Sequence, residues 1–203
     1  MTTRTRRQLL IFAIGLLALT GGIVGDRYLR DTKPALFPSL SDISFTLQSH
    51  DGSAITSRDF IGKPTAIYFG FTWCPDICPT TLSQMADMKS ELGADSLQLV
   101  FFTVDPERDT PEQLADYVSL FDGDITGITG TPDKISEAIR RFGVFAQKIP
   151  DEEGDEDSYM VDHTASVYLY DEAGSFFGTI SPAEPYDMAL AKMARLTQKN
   201  NKR

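Results

Sequence analysis

Two short runs of β-forming residues bracket a segment with helical apolar spacing, and that arrangement leaves few folds open. Residues 65–70 (TAIYFG) and 97–104 (LQLVFFTV) each read as a buried strand, since both are nearly continuous runs of β-branched, aromatic and aliphatic side chains. Between them Leu82, Met85, Met88 and Leu92 recur at spacings of three and four, which predicts a helix over 80–92 with one apolar stripe. Two strands joined through a helix of this length pair in parallel, by a right-handed crossover.

The alternation continues downstream. Thr110 can cap a helix with Pro111 at its first position, and Thr131-Pro132 opens another. The helices they open carry Leu114, Tyr117 and Val118 in one case and Ile135, Ala138, Ile139 and Phe142 in the other. Residues 125–128 form a short strand and 144–149 another candidate. Upstream, 44–48 alternates polar and apolar residues ahead of an Asp51-Gly52 hairpin turn. Residues 165–170 and 175–180 read as a hairpin, and 187–197 as a terminal amphipathic helix. Strand–helix alternation that gives way to a hairpin and a last helix implies an α/β fold with a central mixed sheet flanked by helices, the thioredoxin-like plan. No internal repeat or second folded domain is visible.

The N-terminus obeys different rules. Arg4, Arg6 and Arg7 precede an apolar run, 9–25, in which Thr20 is the one polar side chain. As a helix of 17 residues it would span roughly 25 Å, the short end for crossing a hydrocarbon layer of ~30 Å. Its basic flank predicts a cytoplasmic N-terminus and an exported remainder. A cleaved signal peptide is the rival reading, disfavoured because no Ala-x-Ala site closes the run. The expected layout is a basic N-terminus (1–8), a transmembrane anchor or signal peptide (9–25), a linker (26–42) containing Pro34 and Pro38, and a folded domain (43–203). The net charge of −10 is unevenly spread: residues 1–30 hold five Arg and one Asp, leaving 14 basic and 28 acidic residues for the rest. An exported domain that acidic is a poor partner for nucleic acid, whose phosphates call for Lys and Arg.

Residues 69–80 read Phe-Gly-Phe-Thr-Trp-Cys-Pro-Asp-Ile-Cys-Pro-Thr and contain both cysteines of the chain, Cys74 and Cys78. Two cysteines are too few for a disulfide scaffold or a four-thiolate zinc site. Their place, between a buried strand and a helix start, stabilises thiolates through unpaired N–H groups and the helix dipole. Thiolates serve redox chemistry and soft-metal binding alike, so location leaves both open. A structural disulfide is a third reading, weakened because closing so small a loop constrains the unfolded chain little. His163, in Tyr159-Met160-Val161-Asp162-His163-Thr164, precedes a predicted strand whose entry loop faces the cysteine turn in the thioredoxin-like plan. Two thiolates and an imidazole make a soft, open, three-coordinate set: sulfur suits Cu(I), imidazole helps tolerate Cu(II), and zinc would require a fourth ligand.

Four blocks, YFGFTWCPDICPTTL (68–82), VDPERDTPE (104–112), GITGTPDKI (127–135) and VDHTASVYLYDEAG (161–174), resemble the SCO/SenC family in order and spacing over about 43–195. The resemblance implies a membrane-anchored, thioredoxin-fold copper protein of a bacterial inner membrane, its domain in the periplasm, serving assembly of the binuclear copper centre of cytochrome c oxidase. It implies a copper ion, Cu(I) or Cu(II), bound by Cys74, Cys78 and His163. It further implies delivery to, or thiol reduction of, oxidase subunit II, with other periplasmic copper chaperones or thioredoxin-like reductants as further partners. Where the family often has His, this chain has Trp73. The rival class is a membrane-anchored thiol-disulfide oxidoreductase that carries no metal. A peroxide-reducing relative is disfavoured, because the Thr-x-x-Cys pattern of such enzymes is missing.

Secondary candidates surround this set. Asp105 follows the strongest strand, where carboxyl ends of parallel strands converge, and is read either as tuning the site or as turn chemistry with Arg108 and Asp109 paired locally. Asp76 is either a group supporting the ligands or a solvated turn residue. Asp162 would orient His163 only if strand alternation did not point it away. Met160 is read as packing rather than copper capture, Trp73 as a partly exposed wall beside Cys74, and the acidic run 151–157 as a solvated loop.

Overall fold

The computed structural model describes residues 37–150 and 159–198. The apolar run 9–25 and the acidic run 151–157 lie outside the described residues, and among those described no helix is long and apolar enough to cross a membrane.

A seven-stranded mixed sheet forms the centre, in the order β2-β1-β5-β4-β3-β8-β9. Its strands are β1 (Thr46–Ser49), β2 (Ala54–Thr56), β3 (Thr65–Gly70), β4 (Gln98–Thr103), β5 (Ile125–Thr129), β8 (Val167–Tyr170) and β9 (Phe176–Ile180). The predicted crossover is present: β3 and β4 pair in parallel, Thr65 opposite Gln98 through Gly70 opposite Thr103, with β5 parallel to β4 on the far side. Every residue of β3 is buried, as expected of a strand covered on both faces. The hairpin predicted around Asp51-Gly52 pairs β1 with β2; Gly52 takes φ 85° and the Asp51 carboxylate accepts the Ser53 N–H.

Four helices connect and cover the sheet: α1 (Ile77–Leu92), α2 (Pro111–Val118), α3 (Pro132–Arg141) and α4 (Tyr186–Gln198). Thr110 caps α2, its hydroxyl accepting the Gln113 N–H, with Pro111 in the first turn. The sheet's two faces are easily told apart. Tyr68 and Phe101 face one way and meet Tyr117 of α2, whereas Phe69 and Phe102 face the other and close on Phe142 at the end of α3. Packing reaches back to Phe37, stacked on Phe176, and to fully buried Leu40.

Two features depart from the sequence reading. Helix α1 starts three residues earlier than expected, at Ile77, which draws Cys78 into its first turn. The segment holding His163 is a strand of its own rather than an entry loop: β7 (Tyr159–His163) pairs antiparallel with β6 (Ala146–Pro150). The two form a ribbon separate from the central sheet. The strand YMVDH is short and has only Tyr159 and Val161 as alternating apolar residues, so its period is hard to see in the sequence.

Candidate metal and thiol site

Parallel strands β3 and β4 end at the same edge, and the loops leaving that edge build the site. After Gly70 the chain turns tightly, with the Cys74 N–H donating to the Phe71 carbonyl at 3.2 Å, and enters α1 through Asp76. Cys74 therefore sits just ahead of the helix and Cys78 within its first turn. Both thiols are free and both are buried.

Their environments push them apart. The Cys74 thiol is lowered to about 5, chiefly by a hydrogen bond from Cys78, helped by the backbone N–H groups of Cys78 and Asp76, against the opposing effect of burial. Cys78 is driven upward, because it donates that bond and lies deeper. The Tyr68 hydroxyl lies 3.4 Å from Cys78 Sγ and donates to it. The environment thus favours the thiolate at Cys74, at the helix N-terminus, and the thiol at Cys78. Close approach of Cys78 to the sheet depends on Gly70: a Cβ there would lie 2.9 Å from Cys78 Sγ and 2.8 Å from the Phe101 ring.

His163 reaches this edge from the ribbon. Its ring stands edge-on to Phe71, centroids 5.7 Å apart. Nδ1 is 3.0 Å from the Val161 carbonyl, which can only accept, so the proton resides on Nδ1 and Nε2 keeps its lone pair. Nε2 is buried and has no hydrogen-bond partner among the described residues. An orphaned buried ring nitrogen is unusual in a folded protein, and an unpartnered acceptor is what a nitrogen ligand requires. Cys74, Cys78 and His163 are thus drawn to one edge, a donor set suited to a soft ion. Among the described residues no three His, Cys, Asp or Glu side chains are placed to hold a metal ion together.

The secondary candidates divide. Asp76 is the helix cap by position; its side chain is exposed and makes no capping bond, while its backbone N–H supports Cys74. Asp162 is exposed opposite Gln147, on the ribbon face away from His163. Met160 shares that outer face opposite Ile149, and it is exposed rather than packed. Trp73 is 62% exposed next to Cys74. Asp105 is fully buried, and the local Arg108–Asp109 pair does not form: Arg108 Nε binds Asp105 at 2.5 Å. Asp109, also fully buried, accepts from the Thr72 N–H at 3.2 Å, from Thr72 Oγ1 at 2.7 Å and from Thr103 Oγ1 at 2.5 Å. Burial pushes its carboxyl up to about 6, although these hydrogen bonds oppose the shift. Sequence reasoning missed Tyr68, Thr72 and Tyr159. Tyr68 had a visible signal, a polar-tipped aromatic in an otherwise apolar strand ahead of the cysteines.

Comparison with known proteins agrees with this geometry. The sequence profile described as SCO1/SenC matches residues 34–198. Protein sco1 of Schizosaccharomyces pombe is 37% identical over 164 residues, 77% of this chain and 62% of that protein. The chain spans about half the length of the curated relatives it matches. Copper-bound ScoI of Bradyrhizobium japonicum superposes with a TM-score of 0.69 at 36% identity, over 80% of this chain and 99% of that one. BsSco, described as having a disulfide switch and as a member of the Sco family of cytochrome c oxidase assembly proteins, gives a TM-score of 0.59 at 25% identity, over 81% and 96% of the two chains.

Proposed function

The chain belongs to the SCO1/SenC family, and on that premise we propose that it is a copper-binding metallochaperone acting in cytochrome c oxidase assembly. Copper, Cu(I) or Cu(II), is its cargo, and Cys74, Cys78 and His163 are the residues that hold it. The observation carrying this reading is His163 Nε2, buried without a partner among the described residues, in a chain whose two thiols are both free and buried. A copper-bound relative of the same fold supports it. The recipient is the binuclear copper site of oxidase subunit II, reached by exchanging ligands one at a time in a docked complex, which avoids releasing free ion. The layout that suits this task is a basic N-terminus (1–8), an anchor (9–25) in a bacterial inner membrane, a linker (26–42) and a periplasmic domain.

A second reading is favoured by the unequal thiols. Cys74, lowered to about 5 by its neighbours, is a competent nucleophile toward a partner disulfide. Attack would form a Cys74–partner mixed disulfide and release one partner thiolate. Cys78, giving up its proton, would then displace the second, leaving a Cys74–Cys78 disulfide and a reduced partner. That oxidised pair could not bind copper, so metal loading and redox state would be coupled. A chain acting only as an oxidoreductase would need both cysteines and tolerate loss of His163.

Copper uptake by the reduced chain separates the two. Stoichiometric binding that falls sharply in Cys74→Ala, Cys78→Ala and His163→Ala is the expected result. Undiminished binding in any one variant removes that residue from the site, and no uptake by the parent chain overturns the metallochaperone reading.

A further inference from the structure

The loop Asp105-Pro106-Glu107-Arg108-Asp109 joins the two halves of the site, and it does so with two fully buried carboxylates turned to different partners. Asp109 grips Thr72 of the cysteine turn. Asp105 grips the ribbon: Tyr159 Oη donates to its Oδ1 at 2.7 Å while Arg108 Nε occupies Oδ2. Arg108 completes the connection. Its Nη1 donates to the Tyr159 carbonyl at 3.1 Å, and its guanidinium lies 3.7 Å from the Tyr159 ring centroid. The same group stands 5.6 Å from Trp73 and 5.8 Å from Phe71, the ring that meets His163.

A two-stranded ribbon has little stability of its own. Strands β6 and β7 share no backbone ladder with the central sheet, so side chains decide how the ribbon lies on the domain. Tyr159, Val161 and His163 lie on one ribbon face by strand alternation, and Tyr159 and His163 are separated by about 13 Å of strand. A grip on Tyr159 therefore fixes the roll of the face that presents the imidazole. The grip is also incomplete, because Arg108 Nη2 is buried with no partner among the described residues. A contact that leaves a guanidinium N–H unsatisfied is poised to open.

We propose that Arg108 and Tyr159, anchored on Asp105, form a latch that holds the β6–β7 ribbon so that His163 can close on Cys74 and Cys78. The retention of copper is set by side chains that do not touch the ion. Arg108 and Tyr159 are positioning residues, and their part in copper retention rests on the metallochaperone reading above.

Two measurements on the full chain test the latch. In the metal-free protein, amide hydrogen exchange of β6–β7 rises in Arg108→Ala and in Tyr159→Phe, whereas β3 and β4 keep their protection; unchanged ribbon exchange overturns the latch whatever copper does. In the reduced chain loaded with Cu(I) alone, release to an excess of a colorimetric chelator is about tenfold faster in Arg108→Ala, the loss typical when a residue orienting a ligand is removed. Tyr159→Phe and Arg108→Lys, milder changes that preserve packing or charge, give smaller accelerations. In a His163→Ala background none of the three changes the release rate further. Equal acceleration with and without His163 would mean general loosening and overturn the latch. A parent chain that takes up no Cu(I) would instead overturn the metallochaperone reading, leaving the exchange experiment to decide the ribbon's attachment.

Discussion

The cysteines and the histidine rest on very different supports. Cys74 and Cys78 follow β3, whose six residues are all buried, and Cys78 lies against Tyr68 at a gap that Gly70 leaves open. His163 ends a strand in which only Val161 is buried, on a ribbon outside the central sheet. One half is set by a strand buried throughout, the other by Val161 in the core and a few polar contacts. Ligands on a rigid base and a ligand on an adjustable arm would let the protein capture an ion and later surrender it, as the proposed delivery requires. A site built entirely from the core would hold its ion too firmly for exchange.

The largest expected effect probes the asymmetry directly. Phe102 is fully buried in β4 and its ring meets Phe45, Phe69 and Phe142. Truncation to Ala should cost about 4 kcal/mol, through lost transfer energy and the cavity left behind. Ile149 on the ribbon is 45% exposed, and Ile149→Ala should cost no more than about 0.5 kcal/mol. Urea denaturation of both variants measures the difference. Similar losses at the two positions would show that the ribbon is as integral to the core as β4.

The same asymmetry explains what the sequence disclosed. Strand β3 and the cysteine turn were legible because burial on both faces demands a continuous apolar run and the helix start follows at once. The ends of α2 and α3 were legible from Thr-Pro pairs acting within a few residues. The partners of Asp105 and Asp109 were not, since they come from Tyr159 and Thr72, 54 and 37 positions away. Local proximity favoured an Arg108–Asp109 pair. The fold instead turned Asp109 inward to the cysteine turn, leaving Arg108 to Asp105. The topology foresaw His163 on the segment just ahead of β8, but the strand that carries it and the bond between Nδ1 and the Val161 carbonyl required coordinates.

Asp109 gives the next largest effect, and its sign is opposite to that of an ordinary salt-bridged acid. Its carboxyl is raised to about 6 by burial, so the folded chain binds the proton more tightly than the unfolded one. Stability from this group is full below about pH 4 and is lost as pH rises through 6, a change on the order of 3 kcal/mol. Cys74 acts in the opposite sense: lowered to about 5, it adds stability as pH climbs from 5 toward the usual thiol range. The difference between the parent and Asp109→Asn cancels that contribution. Denaturation midpoints from pH 4 to 7 should fall relative to the variant, and a constant difference across that range would show that Asp109 titrates as an exposed acid does.

A smaller effect distinguishes a rigid cysteine base from one that can adjust. A Cβ at Gly70 would meet Phe101 at 2.8 Å and Cys78 Sγ at 2.9 Å, whereas one at Gly178 in β9 would meet nothing within 4 Å. If the core holds Cys78 as firmly as its burial implies, Gly70→Ala should cost about 2 kcal/mol, the overpacking penalty of a filled interior. Gly178→Ala should be neutral or stabilise by about 0.5 kcal/mol through the unfolded chain. The Gly70 change should also push Cys78 outward, so that iodoacetamide, expected to react at Cys74 in preference to Cys78 in the parent, reaches both sulfurs. A chain that absorbs the extra methyl with no loss of stability, and with Cys78 still protected, would place the flexibility in the cysteine turn instead of the ribbon.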